Sequence, residues 1–507
     1  MSLALILVVA SMSALNLALP DLAVGLAAST TSLTWIIDGY TVTLAGLVLP
    51  MGALGDRVGR RAVLVVGTMV FAAAALAAAD ASGTTALVAW RVVMGVGAAM
   101  IMPGTLSTMT AVLPAGQRSR GVAIWAGCGA SGVIIGMLAS GALLEWFSWR
   151  SIFVTSSAVA LAAALAAVLL APETREAHPR RFDVAGAVCT ALAPGALVYA
   201  LIEGNDRGWG RPQVIGALAA AVLAGVAYVV LGLRAAQPLL DPRLFRDKGF
   251  RAGAVTIAVQ FMAVFGFYFV GLQYVQLVLG YTPWKSAVAL VPIALVVVPT
   301  SQLTPRLARA LGTRTVMTTG LLLLSAGLFA GSLLHADSGY LPFLGCLLPA
   351  GAGVGMTGAV GTAAITGSLT RDQQGVASAV NDVTREVGAA VGIALMGSVF
   401  GSHYRSSLPD VVSRLPEAAA EAVRHSPAGG LYVADHMADR AGAGGAGLAS
   451  GVKDAFMSGM STALGTVAVI VVVAVCFLIG TPRKAKSPGE SDELEPSRES
   501  GEAATAG

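Results

Sequence analysis

Gly52-Ala53-Leu54-Gly55-Asp56-Arg57-Val58-Gly59-Arg60-Arg61 lies between two apolar runs, each of helix length. Three arginines, one aspartate and three glycines share this short link. A short arginine-rich link between apolar spans is what the positive-inside rule assigns to a cytoplasmic loop. The glycines let the backbone turn sharply and let two helix ends come close. Taken alone, the stretch is a basic turn that fixes topology.

Working outward, the rest of the chain has the same character. Of 507 residues, 56 % are hydrophobic and 12 % charged, and the mean hydropathy is +0.76. A soluble domain carries about 25 % charged residues. The composition therefore specifies an all-α polytopic membrane protein. The net charge of +4 is small, and the basic residues sit mostly in short loops, which speaks for topology and against nucleic-acid binding. Cys128, Cys189, Cys346 and Cys476 all fall in apolar runs without metal-ligand spacing, so they are expected to be packing residues or free thiols. No metal and no cofactor is expected. Met1 opens the first span directly, with no cleavable signal peptide evident, as a start assigned slightly late would leave it.

A membrane span needs about 20 apolar residues. Fourteen such runs occur, at 2–26, 32–54, 61–80, 86–112, 120–144, 150–171, 184–203, 213–233, 252–280, 286–304, 314–335, 340–368, 375–400 and 453–480. An even number puts both termini on one side. The links 57–61, 118–120, 175–181, 234–251, 306–314 and Arg371 hold seventeen Lys and Arg, against four (Arg150, Arg207, Arg211, Lys285) in the opposite short loops. That asymmetry predicts cytoplasmic termini and a cytoplasmic-membrane location. Residues 401–452 then form an outside loop rich in alanine and glycine. A short amphipathic helix is expected over 413–423, with Pro416 in its first turn. The tail 481–507 is polar and is expected to be disordered. Pro305-Arg306-Leu307-Ala308-Arg309 with Leu311-Gly312-Thr313-Arg314 follows the tenth span as Asp56–Arg61 follows the second. This spacing supports an internal duplication. The expected organisation is a six-helix bundle over 1–171, two inserted helices within 172–251, and a second six-helix bundle over 252–480.

The opening stretch closely resembles the Gly-x-Leu-x-Asp-Arg-x-Gly-Arg-Arg signature of the major facilitator superfamily, found there between helices 2 and 3. Fourteen spans with an inserted central pair resemble the fourteen-helix drug:proton antiporters of that superfamily. The resemblance implies that Asp56 and Arg57, with Gly52, Gly59 and Arg60, form a cytoplasmic gating latch, made in one transport state and released in the other. Asn16-Leu17-Ala18-Leu19-Pro20 resembles the first-helix motif, with Ser11 where the family often has an aspartate. Trp90-Arg91-Val92-Val93-Met94-Gly95-Val96-Gly97 resembles Arg-x-x-Gln-Gly-x-Gly, with Met94 in place of the glutamine. The family role of this arginine is to bias a nearby carboxylate during proton transfer; a structural arginine tying helix ends together fits equally. Gly127, Gly129, Gly132, Gly136 and Gly141 resemble the antiporter motif ending Gly-Pro-x-x-Gly-Gly, with Met137 and Ser140 as departures. Small residues at such spacings also serve plain helix packing.

The remaining candidates are polar or aromatic groups inside spans. Asp38, in Trp35-Ile36-Ile37-Asp38-Gly39-Tyr40, lies nearly two turns into its span. A carboxylate there is costly unless it faces the bundle interior or water. The alternative is an interfacial acid with Trp35 and Tyr40 as belt aromatics. The pattern resembles one branch of the multidrug exporters, which implies recognition of cationic drugs. Asp382, Arg385 and Glu386 fall within two turns of the thirteenth span, with both acids on one face. The resemblance implies acids at both places, while a self-paired cluster at a helix start is the plainer reading. Gly388 and Gly392 repeat the close-packing spacing. Phe261, Phe265 and Tyr268 share one helical face, where they would hold a flat apolar or cationic drug or simply pack. No nucleophile elbow, metal-ligand pair or phosphate loop occurs, so no enzyme is expected.

These readings converge on proton-coupled efflux of amphipathic, often cationic, drugs or antibiotics by alternating access. The coupling set is Glu386, Asp382, Asp38 and Arg91. The substrate set is Asp38, Trp35, Tyr40, Asp382, Phe261, Phe265 and Tyr268. The expected partners are a small-molecule drug or antibiotic, protons and the lipid bilayer, with the chain a monomer. A dedicated exporter of one natural product, or a non-transporting membrane sensor of the same fold, are the alternatives.

Overall fold

A computed structural model of the chain describes residues 1–114, 118–175, 182–235, 238–368, 374–441 and 443–480. Arg180, Arg181, Arg371 and the tail 481–507 lie outside the described residues, as do the side chains of Arg118 and Arg120. Among the described residues the regular elements are all helical. The first half holds α1 (Ser2–Ser13), α2 (Leu19–Gly25), α3 (Thr30–Val58), α4 (Arg60–Ala79), α5 (Thr84–Val112), α6 (Arg118–Trp146) and α7 (Arg150–Leu170). The inserted pair is α8 (Val184–Arg207) and α9 (Pro212–Arg234). The second half holds α10 (Lys248–Gln273), α11 (Pro283–Ala289), α12 (Val291–Leu311), α13 (Thr313–Ser332), α14 (Tyr340–Gly367), α15 (Gln374–Ser406), α16 (Glu417–His425), α17 (Pro427–Ala441) and α18 (Ala443–Gly480). Fourteen of the resulting segments are long and apolar enough to cross a membrane, as the hydropathy pattern predicts.

Local chemistry sets where the helices begin and bend. Ser29 caps α3 by accepting from Ser32 N–H at 3.1 Å, and Asp247 caps α10 by accepting from Phe250 N–H at 2.8 Å. The first span is not continuous. Pro20 has no N–H to give the carbonyl four residues back, so the chain tightens into a 3₁₀ segment over Ala14–Ala18 between α1 and α2. The equivalent first span of the second half ends in a π-helical turn, Tyr274–Val278. The two irregular segments meet: Gln276 Nε2 donates to the Leu17 carbonyl at 3.0 Å.

That bond lies on the side away from the termini, as do the other hydrogen bonds found between the halves among the described residues. Thr30 Oγ1 donates to His425 O at 3.2 Å, and Trp284 N–H donates to Glu145 Oε2 at 3.4 Å. The inserted pair is asymmetric. α8 packs on both α3 and α15, one from each half. α9 packs against α8, and only 11 % of its apolar window is buried inside the protein.

Residues 401–452, expected as an outside loop with one short helix, are helical over more of their length than that. α15 runs on to Ser406, a 3₁₀ turn covers Asp410–Arg414, and α18 begins at Ala443. The short helix starts at Glu417 rather than 413, because Pro416 sits at its N-cap with ψ 143° instead of inside the first turn. Alanine dominates this segment and favours helix. Tyr404, Val412, Ala420, Val423, Ala434, Leu448, Val452 and Ala455 give it a small core of its own. Tyr404 OH donates to the Val423 carbonyl at 2.7 Å and fastens α16 to α15.

Candidate functional site

α15 carries three charged groups into the middle of the second half. Asp382 is 4 % exposed and Glu386 3 %. Asp382 Oδ1, Glu386 Oε2 and Arg385 Nε are buried without a hydrogen-bond partner, and none of the three residues makes an ion pair within 4 Å among the described residues. The Arg385 guanidinium instead lies 4.8 Å above the Phe261 ring, a cation–π contact. Phe261 stacks on Phe265 at 5.8 Å, and Phe265 meets Tyr268 edge-on at 5.9 Å. The aromatic face read from spacing is therefore a continuous ladder on α10 running up from Arg385. Gln260 and Thr357 (2.8 Å) and Thr362 and Asn381 (3.1 Å) add a polar seam beside it.

Glycines bring α15 this close. A Cβ at Gly388 would strike the Ala258 carbonyl, and one at Gly392 would strike that of Met262, both on α10. In the first half, Gly132 and Gly136 lie against Val9 and Ala10 of α1. Gly141 lies against Ala287 of α11 and so joins the halves.

The Trp35–Tyr40 stretch divides between two faces of α3. Tyr40 is fully buried, donates to the Val8 carbonyl at 2.9 Å and lies 4.3 Å beneath the Arg91 guanidinium. Arg91 is 1 % exposed and donates from Nε to the Ile36 carbonyl at 2.9 Å, while its Nη2 is buried without a partner. Asp38 points the other way. It is 0 % exposed, and neither carboxylate oxygen has a partner. Trp35 and Val42, one turn away on the same face, pack with Val198 and Ile202 of α8 and Ala390 and Ala394 of α15. Asp38 therefore lies at the junction of α3, α8 and α15. Burying a carboxylate with no donor is expensive, and such groups inside spans mark transport paths.

Glu203 escaped the sequence reading. It is 7 % exposed, accepts from Trp35 Nε1 at 2.8 Å through Oε1 and pairs with Arg207 through Oε2. The only sequence signal was the four-residue spacing to Arg207 at the end of an apolar run.

In the Asp56 loop, Asp56 pairs with Arg60 at 2.7 Å, and Arg60 Nη1 donates to the Ser107 carbonyl at 3.3 Å. Arg57 is exposed and makes no ion pair among the described residues. Gly52 lies against Pro103 of α5. Gly59 has φ 132°, and a Cβ there would fall 2.6 Å from Glu173 Oε1.

Fourteen membrane-length segments, with buried charged groups inside α3, α5 and α15, define a polytopic membrane protein. The Major Facilitator Superfamily model matches residues 1–393, and the chain belongs to that superfamily. It is 31 % identical over 481 residues to the multidrug efflux pump LfrA of Mycolicibacterium smegmatis, covering 95 % of this chain and 94 % of that one. It is 30 % identical over 505 residues to the tetracenomycin C resistance and export protein of Streptomyces glaucescens, covering 96 % and 90 %. Among solved structures, a bacterial homologue of the human lysosomal transporter Spinster superposes with a TM-score of 0.67 at 15 % identity, covering 94 % of each chain.

Proposed function

We propose that the protein exports amphipathic, often cationic, drugs or antibiotics across the cytoplasmic membrane in exchange for protons. The observation that carries this reading is the set of buried acids Asp38, Asp382 and Glu386, each with a carboxylate oxygen that no protein donor satisfies. An unpaired carboxylate in a low-dielectric site holds a proton, and a nearby cation favours its release. Proton and cationic drug then compete for the same groups, which is the exchange an antiporter needs. Arg385 lies three residues from Asp382 on the same helix, at a spacing that lets it neutralise that acid. Glu386 is assigned the proton-carrying role, and Asp38 and Asp382 the cation-facing roles. Arg91, held over Tyr40, is assigned the role that the resemblance implies, biasing a nearby carboxylate. The hydrogen bonds joining the halves on one side support alternating access by rocking. The charge asymmetry of the loops supports cytoplasmic termini.

The test is drug-driven proton movement in inverted vesicles. Glu386→Gln is expected to abolish it at normal expression. Protons still released on drug addition would remove Glu386 from the coupling role. The tetracenomycin relative favours a second reading, export of a single natural product, which a narrow spectrum in a drug-susceptibility panel would support.

A further inference from the structure

We propose that the inserted helix α8 is the specificity wall of the Asp38 site, and that Glu203 is its positioning residue. This rests on Asp38 being a cation-facing carboxylate. Asp38 has no donor of its own, and the side of α3 on which it lies is closed by α8 and α15. The only aromatic one turn from it on that face is Trp35. The Trp35 indole is set by α8: its Nε1 donates to Glu203, and its ring lies 6.0 Å from the Tyr199 ring at 52°. Glu203 is itself fixed by Arg207, one turn on. The next residues tie the same helix end to the other half, through Asp206 and Arg405 at 2.7 Å. α8 thus fixes the Trp35 ring, with Tyr199 against it, one helical turn from a buried, unpaired carboxylate. That combination fits a flat organic cation, with a ring face to stack on and a charge to neutralise.

The purified full-length protein is titrated with ethidium, a flat aromatic cation, and with tetraphenylphosphonium, a cation of the same charge without one flat face. Glu203→Leu is expected to weaken ethidium binding about tenfold and tetraphenylphosphonium less than about twofold, the scale of a lost ring contact. Trp35→Phe, which keeps a ring but loses the donor, should weaken ethidium in the same sense. The double variant should be no worse than the worse single one, since both break one bond. Glu203→Gln retains the acceptor oxygen and should restore most of the affinity. Equal losses for both cations, additive losses in the double variant, or Gln behaving like Leu would overturn the proposal. If Glu203→Leu does not fold, the selectivity of Trp35→Phe decides alone: a loss shared by both cations refutes the wall. Asp38→Asn separates the two layers. Unchanged ethidium affinity there removes the underlying reading, whereas loss in Asp38→Asn with none in Glu203→Leu removes only the role of α8.

Discussion

The Asp56–Arg61 link and its counterpart at 305–314 occupy equivalent places in the two halves, and comparing them separates what the fold needs from what the first half adds. In both, a glycine of positive φ breaks the chain between two helices: Gly59 at 132° and Gly312 at 87°. In both, the second residue of the next helix is an arginine that caps the last helix of its half. Arg61 Nη1 donates to the Ala171 carbonyl at 3.2 Å beyond α7, and Arg314 donates to the Ile479 carbonyl of α18. A cation at a helix C-terminus meets the orphan carbonyls and the negative end of the dipole. That shared part is architecture. The first half alone adds an acid and an enclosure. Asp56 holds Arg60, Arg60 N–H donates to Thr174 O at 2.9 Å, and Glu173 accepts from Arg61 N–H at 3.2 Å beside Gly59. A Cβ at Gly312 would meet nothing within 4 Å, and Arg306 and Arg309 are exposed. The two links share the hinge and the cap, while the first has an ion pair at its centre.

The sharpest way to break this comparison is at the glycines. Gly59→Ala combines left-handed strain with a collision against Glu173 and should lower stability in detergent by about 3 kcal/mol. Gly312→Ala meets only the strain and should cost about 1 kcal/mol. Equal drops in Tm would mean that the Glu173 enclosure contributes nothing. Next in size is Asp56→Asn. The pair is partly exposed, so stability should change by less than about 1 kcal/mol. Drug transport should nevertheless slow, because the loop loses a charge from a contact proposed to depend on transport state. Unchanged transport at wild-type expression would reduce the first loop to the role of the second. The smallest effect is expected at the caps. Arg61→Ala and Arg314→Ala should each cost about 0.5 kcal/mol, in parallel. A clear difference between their melting curves would contradict the equivalence of the two loops.

The spans and the repeat were legible because apolar length and arginine spacing are local properties. All fourteen spans fall where hydropathy puts them. The charged turn of α15 was legible too, although the structure sets Arg385 over Phe261 and shows no ion pair from it to either acid among the described residues. What could not be read was which apolar face meets which. Lipid and protein interior are equally apolar, so hydropathy is silent on packing partners. That is why the sequence could place α8 only as one of two inserted helices, when it packs on both α3 and α15, and why Glu203 was not singled out. The same silence hid most of the folded state of 401–452, where the sequence showed one short helix and the core around Tyr404 and Val452 was not legible.

The asymmetry of the inserted pair has an evolutionary consequence. A single added helix would reverse the orientation of everything after it, so an insertion must come in twos. Here the two members face different selection. α8 touches both halves and carries Glu203, so each of its inward positions is answerable to a partner. α9 is little buried inside the protein, and an apolar helix in that setting is held by its composition more than by its order. Its sequence is free to drift while its hydropathy is kept. An inserted pair of this kind needs only one interface with the rest of the protein, and its second helix serves as the return crossing.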